Sequence, residues 1–288
     1  MKASYHTHSD FCDGRSSLED MAQAAIAEGY GILGFSSHNP LPFPYPGVLP
    51  MERLGEYRDA VRALAARLEG RIEILLGIEA DWVAGACAPG DGRLDAGNFD
   101  YRIGSVHMVP APGARGGPPE YRYTAVDSPA HEFAREFALR WAGDGVALAR
   151  AYFKALAELA RAGGFEVLGH FDLIRKNNRG SARFIDEESK PYVDAAMEAV
   201  EAVAASGAVV EINTGGMARG KSDSPYPALR WLKEFRARGV AVQINADAHA
   251  PGHLADEWRR HGRELAREAG YRELRVLSKG NWADVALE

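Results

Sequence analysis

The sequence predicts an α/β fold, a parallel sheet covered by helices, with enough βα units in one chain to close into a barrel. Three observations lead there. Short apolar runs alternate with helix-period segments along almost the whole chain. No linker, repeat or low-complexity tract interrupts them, so residues 1–288 read as a single domain. The histidines and carboxylates able to bind a metal fall at the ends of those apolar runs, where a parallel sheet gathers its active site on one face. A doubly wound open sheet fits the same periodicity and is the alternative.

The first strand is "KASYHTH". A helix follows in "SSLEDMAQAAIAEGYG": Ser16 or Ser17 caps it, Leu18, Met21, Ala25 and Ile26 form its apolar face, and Gly29 stops it. "ILGFSSH" reads as a buried strand, while the prolines of "NPLPFPYPGVLP" force a loop. The helix "MERLGEYRDAVRALAARLEG" leads into the strand "IEILLGIEAD". "FDYRIGSVH" is the next strand, and 108–129 is a long irregular loop rich in Gly and Pro. Helical pattern then runs from about His131 through "GVALARAYFKALAELARAGG". The strands "FEVLGH", "AVVEINT" and "VAVQINAD" alternate with helices near 186–206, 225–238 and 256–269. A last strand, "LRVLS", and a short tail finish the chain.

Composition narrows the function classes. Hydrophobic content of 46% and charged content of 26% suit a soluble chain with a large core. A formal net charge of -6, without a basic stripe, argues against nucleic acid and anionic membrane as partners. No apolar run reaches membrane-spanning length and no signal-peptide core is visible, which points to the cytoplasm. With Cys12 and Cys87 alone, no disulfide framework holds the fold.

The chemistry lies in "HTHSDFCDG" and its counterparts. His6 and His8 are two apart, so an extended backbone points both imidazoles the same way. Asp13 follows in the loop; His38, Glu79, His107 and His170 close or follow later strands, and Asp247 and His249 close "VAVQINADAH". Imidazole and carboxylate without thiolate suit Zn, Mn or Fe, and nine such groups suit two or three divalent ions sharing a bridging carboxylate. Cys12 reads as a packing residue, and His131, His253 and His261 receive no role.

"HTHSDFCDG", "SSH", "GIEAD", "GSVH", "GHFDLI" and "INADAH" together resemble the polymerase and histidinol phosphatase (PHP) family over nearly the whole chain. "GHFDLIRKN" and "EINTGGMARGKSDSPYP" resemble its histidinol-phosphate phosphatase branch. The resemblance implies a distorted seven-stranded β/α barrel of TIM-like form with a trinuclear metal site. It assigns His6, His8, Glu79 and Asp247 to one metal, with Glu79 bridging to a second that His107 and His170 complete. Asp13, His38 and His249 hold the third; some members of the family carry histidine where this chain has Asp13.

The implied reaction is hydrolysis of L-histidinol phosphate, a step of histidine biosynthesis. A bridging hydroxide would be the nucleophile, and Glu79, Asp247 and His249 are the ligands counted as catalytic. No nucleophile elbow or P-loop supports acyl transfer or nucleotide triphosphate use. Arg175, Lys176 and Arg219 are cations on the site face; Arg175 and Arg219 are those expected on the phosphate, with Arg183 and Lys221 as neighbours able to substitute. A metal-bound water, Asp247 or Asp127 could protonate the leaving alkoxide, and Asp127, Tyr121 and Tyr123 could read the amine and imidazole. The alternatives are another small phosphomonoester or a nucleic-acid end, a metal amidohydrolase, and a non-catalytic accessory domain. Oligomeric state does not follow from the sequence.

Overall fold

A computed structural model describes residues 1–113 and 122–287. Its strands are β1 (Ala3–Ser4), β2 (Ile32–Phe35), β3 (Glu73–Asp81), β4 (Tyr101–Ser105), β5 (Met108–Pro110), β6 (Tyr123–Ala125), β7 (Val167–Leu168), β8 (Val209–Asn213), β9 (Val242–Asn245), β10 (Glu273–Ser278) and β11 (Asn281–Ala286). Its helices are α1 (Leu18–Ala27), α2 (Leu54–Arg67), α3 (Ala130–Trp141), α4 (Gly145–Ala162), α5 (Lys190–Ser206), α6 (Gly215–Ala218), α7 (Leu229–Ala237) and α8 (Asp256–Glu268).

Seven parallel strands form a nearly closed barrel in the order β1-β2-β3-β4-β7-β8-β9. The open-sheet alternative is thereby excluded. At the seam between β9 and β1, Thr7 bridges Ala248 in parallel, and His8 N–H donates to Ala248 O at 2.8 Å. Side chains replace the missing ladder below it. Tyr5 N–H donates to Asn245 Oδ1 at 2.9 Å, and Ala246 N–H donates to Ser4 Oγ at 3.0 Å.

Local chemistry sets the helix boundaries. Ser17 Oγ accepts from Asp20 N–H at 3.1 Å and starts α1, whose buried face is Leu18, Met21, Ala22 and Ala25. On α2, Leu54, Tyr57, Val61 and Leu64 recur at helical spacing and are buried against the barrel. The helix expected near 225–238 starts only at Leu229, because Pro225 and Pro227 are incompatible with an earlier helical interior.

Three expectations are corrected. The helical pattern after His131 is two helices, broken where Ala142 and Gly143 both take positive φ (49° and 78°) and Asp144 Oδ1 caps α4. The loop 108–129 contains an antiparallel ribbon of β5 and β6, with Met108 opposite Ala125. The last strand does not join the barrel: β10 pairs antiparallel with the tail strand β11, register Glu273 to Ala286. This hairpin covers the N-terminal end of the barrel. Tyr5 Oη donates to Leu277 O at 3.0 Å and accepts from Leu277 N–H at 2.9 Å. Val276 and Leu277 pack there with Ala3, Ile32 and Tyr101. The Tyr101 side chain leaves no room for side chains on the facing strands: a Cβ would fall 2.2 Å from its hydroxyl at Gly34 and 2.2 Å from its ring at Gly77. With that end plugged, the C-terminal end is the open one.

Candidate metal centre

Glu79 is the hub. It is buried near the C-terminal end of β3, and five imidazoles surround its carboxylate. Oε2 lies 3.1 Å from His6 Nε2, 3.0 Å from His38 Nδ1 and 3.5 Å from His8 Nε2. Oε1 lies 2.9 Å from His170 Nε2 and 3.5 Å from His107 Nε2. Asp247 Oδ1 stands 3.4 Å from both His8 Nε2 and His249 Nδ1, and Asp13 Oδ2 stands 3.2 Å from His249 Nε2. All nine expected ligands therefore meet at one end of the barrel.

Tight backbone makes this convergence possible. A Cβ on Gly14 would fall 2.4 Å from Ser9 N, so only glycine lets the 9–14 turn fold back and bring Asp13 to the His8 ring. Asp247 has φ 45°, a left-handed conformation unusual for a non-glycine residue and a source of strain held in place by its surroundings. Gly215 lies against it: a Cβ there would be 2.7 Å from Asp247 Cβ.

The ligands' far atoms are held by groups that sequence reasoning missed. His6 Nδ1 lies 2.9 Å from Glu211 Oε2, and His107 Nδ1 lies 2.5 Å from Asp81 Oδ1. Such carboxylate–imidazole pairs fix the ring and leave the opposite nitrogen for a metal. The missed signal was alternation: Asp81 is two residues after Glu79 on β3, and Glu211 is a charge set between Val210 and Ile212 in the middle of β8. Cys12, assigned to packing, lies with Sγ 3.4 Å from His8 Nδ1. Burial pushes its thiol up, and the adjacent His8 imidazole more than reverses this, bringing it to about 6.

The residues present fit metal ions. His6 Nε2, His8 Nε2 and Glu79 Oε2 are buried with no hydrogen-bond partner, at separations of 3.1 and 3.5 Å. Orphaned buried polar atoms that face each other call for a cation between them. Burial pushes the Glu79 carboxyl up, but His6, His38 and His107 outweigh it and hold the group well below the usual carboxylate range. Asp247 is likewise pushed up by burial and brought well below that range by Arg219 and His6. Three subsets carry donor atoms within 4.8 Å of one another: His8, Asp13, His38 and His249; His6, His8 and Asp247; His38, Glu79 and His107. His8 and His38 are each shared between two of them.

A cleft of about 660 Å³ opens above these groups. Arg219, Lys176, Lys221, Arg15 and His253 stand on its walls. Arg219 donates through Nη2 to Asp247 Oδ2 at 2.8 Å, and its Nη1 lies 2.8 Å from His249 Nδ1, so it also braces two ligands. Arg175 corrects an expectation: it lines no part of this cleft. Its Nε faces Asp172 Oδ2 at 2.7 Å, Nη2 donates to Pro225 O at 3.1 Å, and the guanidinium lies over the Tyr226 ring. The neighbouring Lys176 takes the cleft position and donates to Asp127 O. Arg183 is exposed away from the cleft. Tyr123 donates to Ala84 O and stacks on Phe43, and Tyr121 lies outside the described residues. A second cleft, about 360 Å³, continues past His38 and Asp127 to Tyr45 and Glu132.

The PHP domain family model matches residues 4–215. A probable histidinol-phosphatase from Deinococcus radiodurans is 31% identical over 252 residues, 86% of each chain. One from Schizosaccharomyces pombe is 27% identical over 87% of this chain and 81% of its own. Among solved structures, histidinol phosphate phosphatase from Lactococcus lactis, complexed with Zn, L-histidinol and phosphate, superposes with a TM-score of 0.74 at 22% identity, covering 98% of both chains. Asp247 and His249 lie beyond the matched family span and still meet its ligands in space.

Proposed function

The chain belongs to the PHP domain family, and from that premise we propose that it hydrolyses L-histidinol phosphate to L-histidinol and phosphate. His6, His8, Asp13, His38, Glu79, His107, His170, Asp247 and His249 would hold two or three divalent ions, of Zn, Mn or Fe. When bound, such ions activate water and neutralise charge on the phosphoryl oxygens. Arg219 and Lys176 add fixed positive charge at the cleft wall, where a phosphate dianion needs it. Arg219 also keeps Asp247 and His249 oriented. Glu211 and Asp81 hold His6 and His107 in register. Among the described residues no helix is long and apolar enough to cross a membrane, and a cytoplasmic, one-domain enzyme with a small-molecule substrate completes the reading.

The polarity of the cleft carries the assignment of substrate. The cleft above the ligand cluster carries four cations, Arg15, Lys176, Arg219 and Lys221. The adjoining cleft is acidic, with Asp81, Asp127 and Glu132 beside Tyr45. A small molecule with a phosphate at one end and an ammonium and imidazole at the other matches that division. Here Asp127 is the carboxylate offered to the cationic end. Burial pushes Asp127 up, and Lys176 and His107 more than compensate, so it stays ionised.

The test is phosphate release from L-histidinol phosphate by protein reloaded with Zn, Mn or Fe, beside a panel of other phosphomonoesters. A strong preference for histidinol phosphate is expected. Turnover of other esters alone would keep the hydrolytic site and discard this substrate; no turnover of any ester by metal-loaded protein would discard both.

A further inference from the structure

His253 received no role from the sequence, yet it faces the cleft that contains Asp247 and Arg219. It sits on the single 3₁₀ turn Pro251–Leu254 that follows the last ligand. Leu254 anchors this turn: it is fully buried in the same apolar cluster as Met21 and Ala22 of α1. His253 N–H donates to Ala250 O at 3.0 Å, which fixes the turn from the other side. The side chain is therefore mounted on rigid backbone.

Its tautomer is also fixed. The backbone N–H of His249 donates to His253 Nδ1 at 3.1 Å. A backbone N–H only donates, so Nδ1 must accept, and the proton of the neutral ring is carried by Nε2. Among the described residues no hydrogen bond or ion pair engages that Nε2. The ring thus offers the cleft one N–H donor with no protein acceptor. Arg15, Arg219 and Lys221 line the same cleft and make it suited to an anion. Of the acids suited to a cationic group, Glu132 lies in the adjoining cleft, and Asp127 stands where the two clefts meet, beside Lys176.

We propose that His253 is a substrate-binding residue whose Nε2–H donates a hydrogen bond to a phosphoryl oxygen of the substrate and of product phosphate. This rests on the phosphoesterase reading given above. The i, i+4 pair His249 and His253 then divides its work: one ring belongs to the ligand cluster, and the other contacts the anion that approaches it.

Two variants test it, His253→Leu and His253→Gln. Leucine keeps bulk without a donor, and glutamine restores an N–H at about the reach of Nε2. Inorganic phosphate is titrated into metal-loaded protein by calorimetry, with metal content measured in the same samples and kcat/KM measured in parallel. The expected result for His253→Leu is phosphate binding and kcat/KM each weaker by about tenfold or more, as for a lost hydrogen bond to a charged group. Metal content should be unchanged, and His253→Gln should recover most of the loss. Wild-type phosphate affinity in His253→Leu overturns the proposal. So does a parallel fall of metal content in both variants, which would make His253 a support for His249. Because the titration uses phosphate alone, these outcomes stand whether or not histidinol phosphate is turned over. A wild-type protein that holds metals and binds no phosphate overturns the phosphoesterase reading together with this one.

Discussion

Glu211 Oε2 lies 2.9 Å from Nδ1 of His6, and both residues are fully buried. The same carboxylate accepts from His170 N–H at 2.8 Å, Asn213 Nδ2 at 2.8 Å and Asn245 Nδ2 at 2.9 Å, so it ties β7, β8 and β9 to the first strand's imidazole. Burial pushes this carboxyl up and His6 more than reverses it, so the ring receives a full negative charge behind it. Glu211→Gln keeps the shape and removes the charge. Metal affinity should fall about 10- to 100-fold, read by competition with a chelator, while far-ultraviolet circular dichroism stays as in the parent. Unchanged affinity would reduce Glu211 to a structural knot.

Asp247 is the ligand with the most demands on it: it faces His8 and His249, accepts from Arg219 and holds a left-handed backbone. Asp247→Asn should abolish nearly all turnover and leave the barrel folded. Full activity in that variant would remove Asp247 from the site.

Metal removal should be visible in stability as well as turnover. Without cations, the ionised carboxylates of Glu79, Asp13 and Asp247 share one small volume. A ligand that binds only the folded state at a thousandfold excess over its Kd contributes about 4 kcal/mol. For a chain of this size that is a rise in Tm on the order of 10 °C. Chelator-stripped protein should melt lower by about that much and recover on adding Zn. Equal melting of both forms would mean that no ion is held tightly.

How much of this was legible beforehand depends on the range of the interaction. The barrel strands along the chain and the ligands at their ends follow from patterns a few residues long: "HTH", "GIEAD" and "INADAH" each place their polar groups by local alternation. The fates of Arg175 and Lys176 were hidden, because adjacent residues on a short 3₁₀ turn point apart, and only the buried Asp172 decides which of them turns inward. The β10–β11 hairpin was hidden for a similar reason. Its partner, Tyr5, is more than 250 residues away, and nothing local in "LRVLS" distinguishes a barrel strand from a plug. The α3–α4 break at Ala142 and Gly143 was passed over because the apolar period continues on both sides of it.

Arg175 therefore yields a prediction opposite in kind to that for Arg219. Removing one partner of a buried ion pair leaves the other charge uncompensated, at about 3–5 kcal/mol. Asp172 is fully buried, so Arg175→Ala should lower Tm substantially, while the folded fraction binds phosphate as the parent does. Arg219→Ala should weaken phosphate binding and loosen metal retention together, since its guanidinium contacts Asp247 and His249. Calorimetry with phosphate on both variants separates the two. A selective loss of phosphate binding in Arg175→Ala, without loss of stability, would return that residue to the cleft.

The division of charge between the clefts makes the last prediction. Asp127 stands where both clefts meet, with its carboxylate 3.7 Å from Lys176 Nζ. A carboxylate there attracts the ammonium of histidinol phosphate and gains nothing from a neutral alcohol such as glycerol on the same phosphate. A hydrogen bond to a charged group contributes about 1.5–3 kcal/mol, and partial exposure to solvent places Asp127 at the lower end of that range. Asp127→Asn should therefore raise KM for histidinol phosphate about tenfold and leave KM for glycerol phosphate within about twofold. The comparison is internal to one variant, so a general loss of folding or metal moves both values equally and is recognised as such. Equal effects on the two esters would take Asp127 out of substrate selection and leave Glu132 and Tyr45 as the remaining groups of the acidic cleft to test.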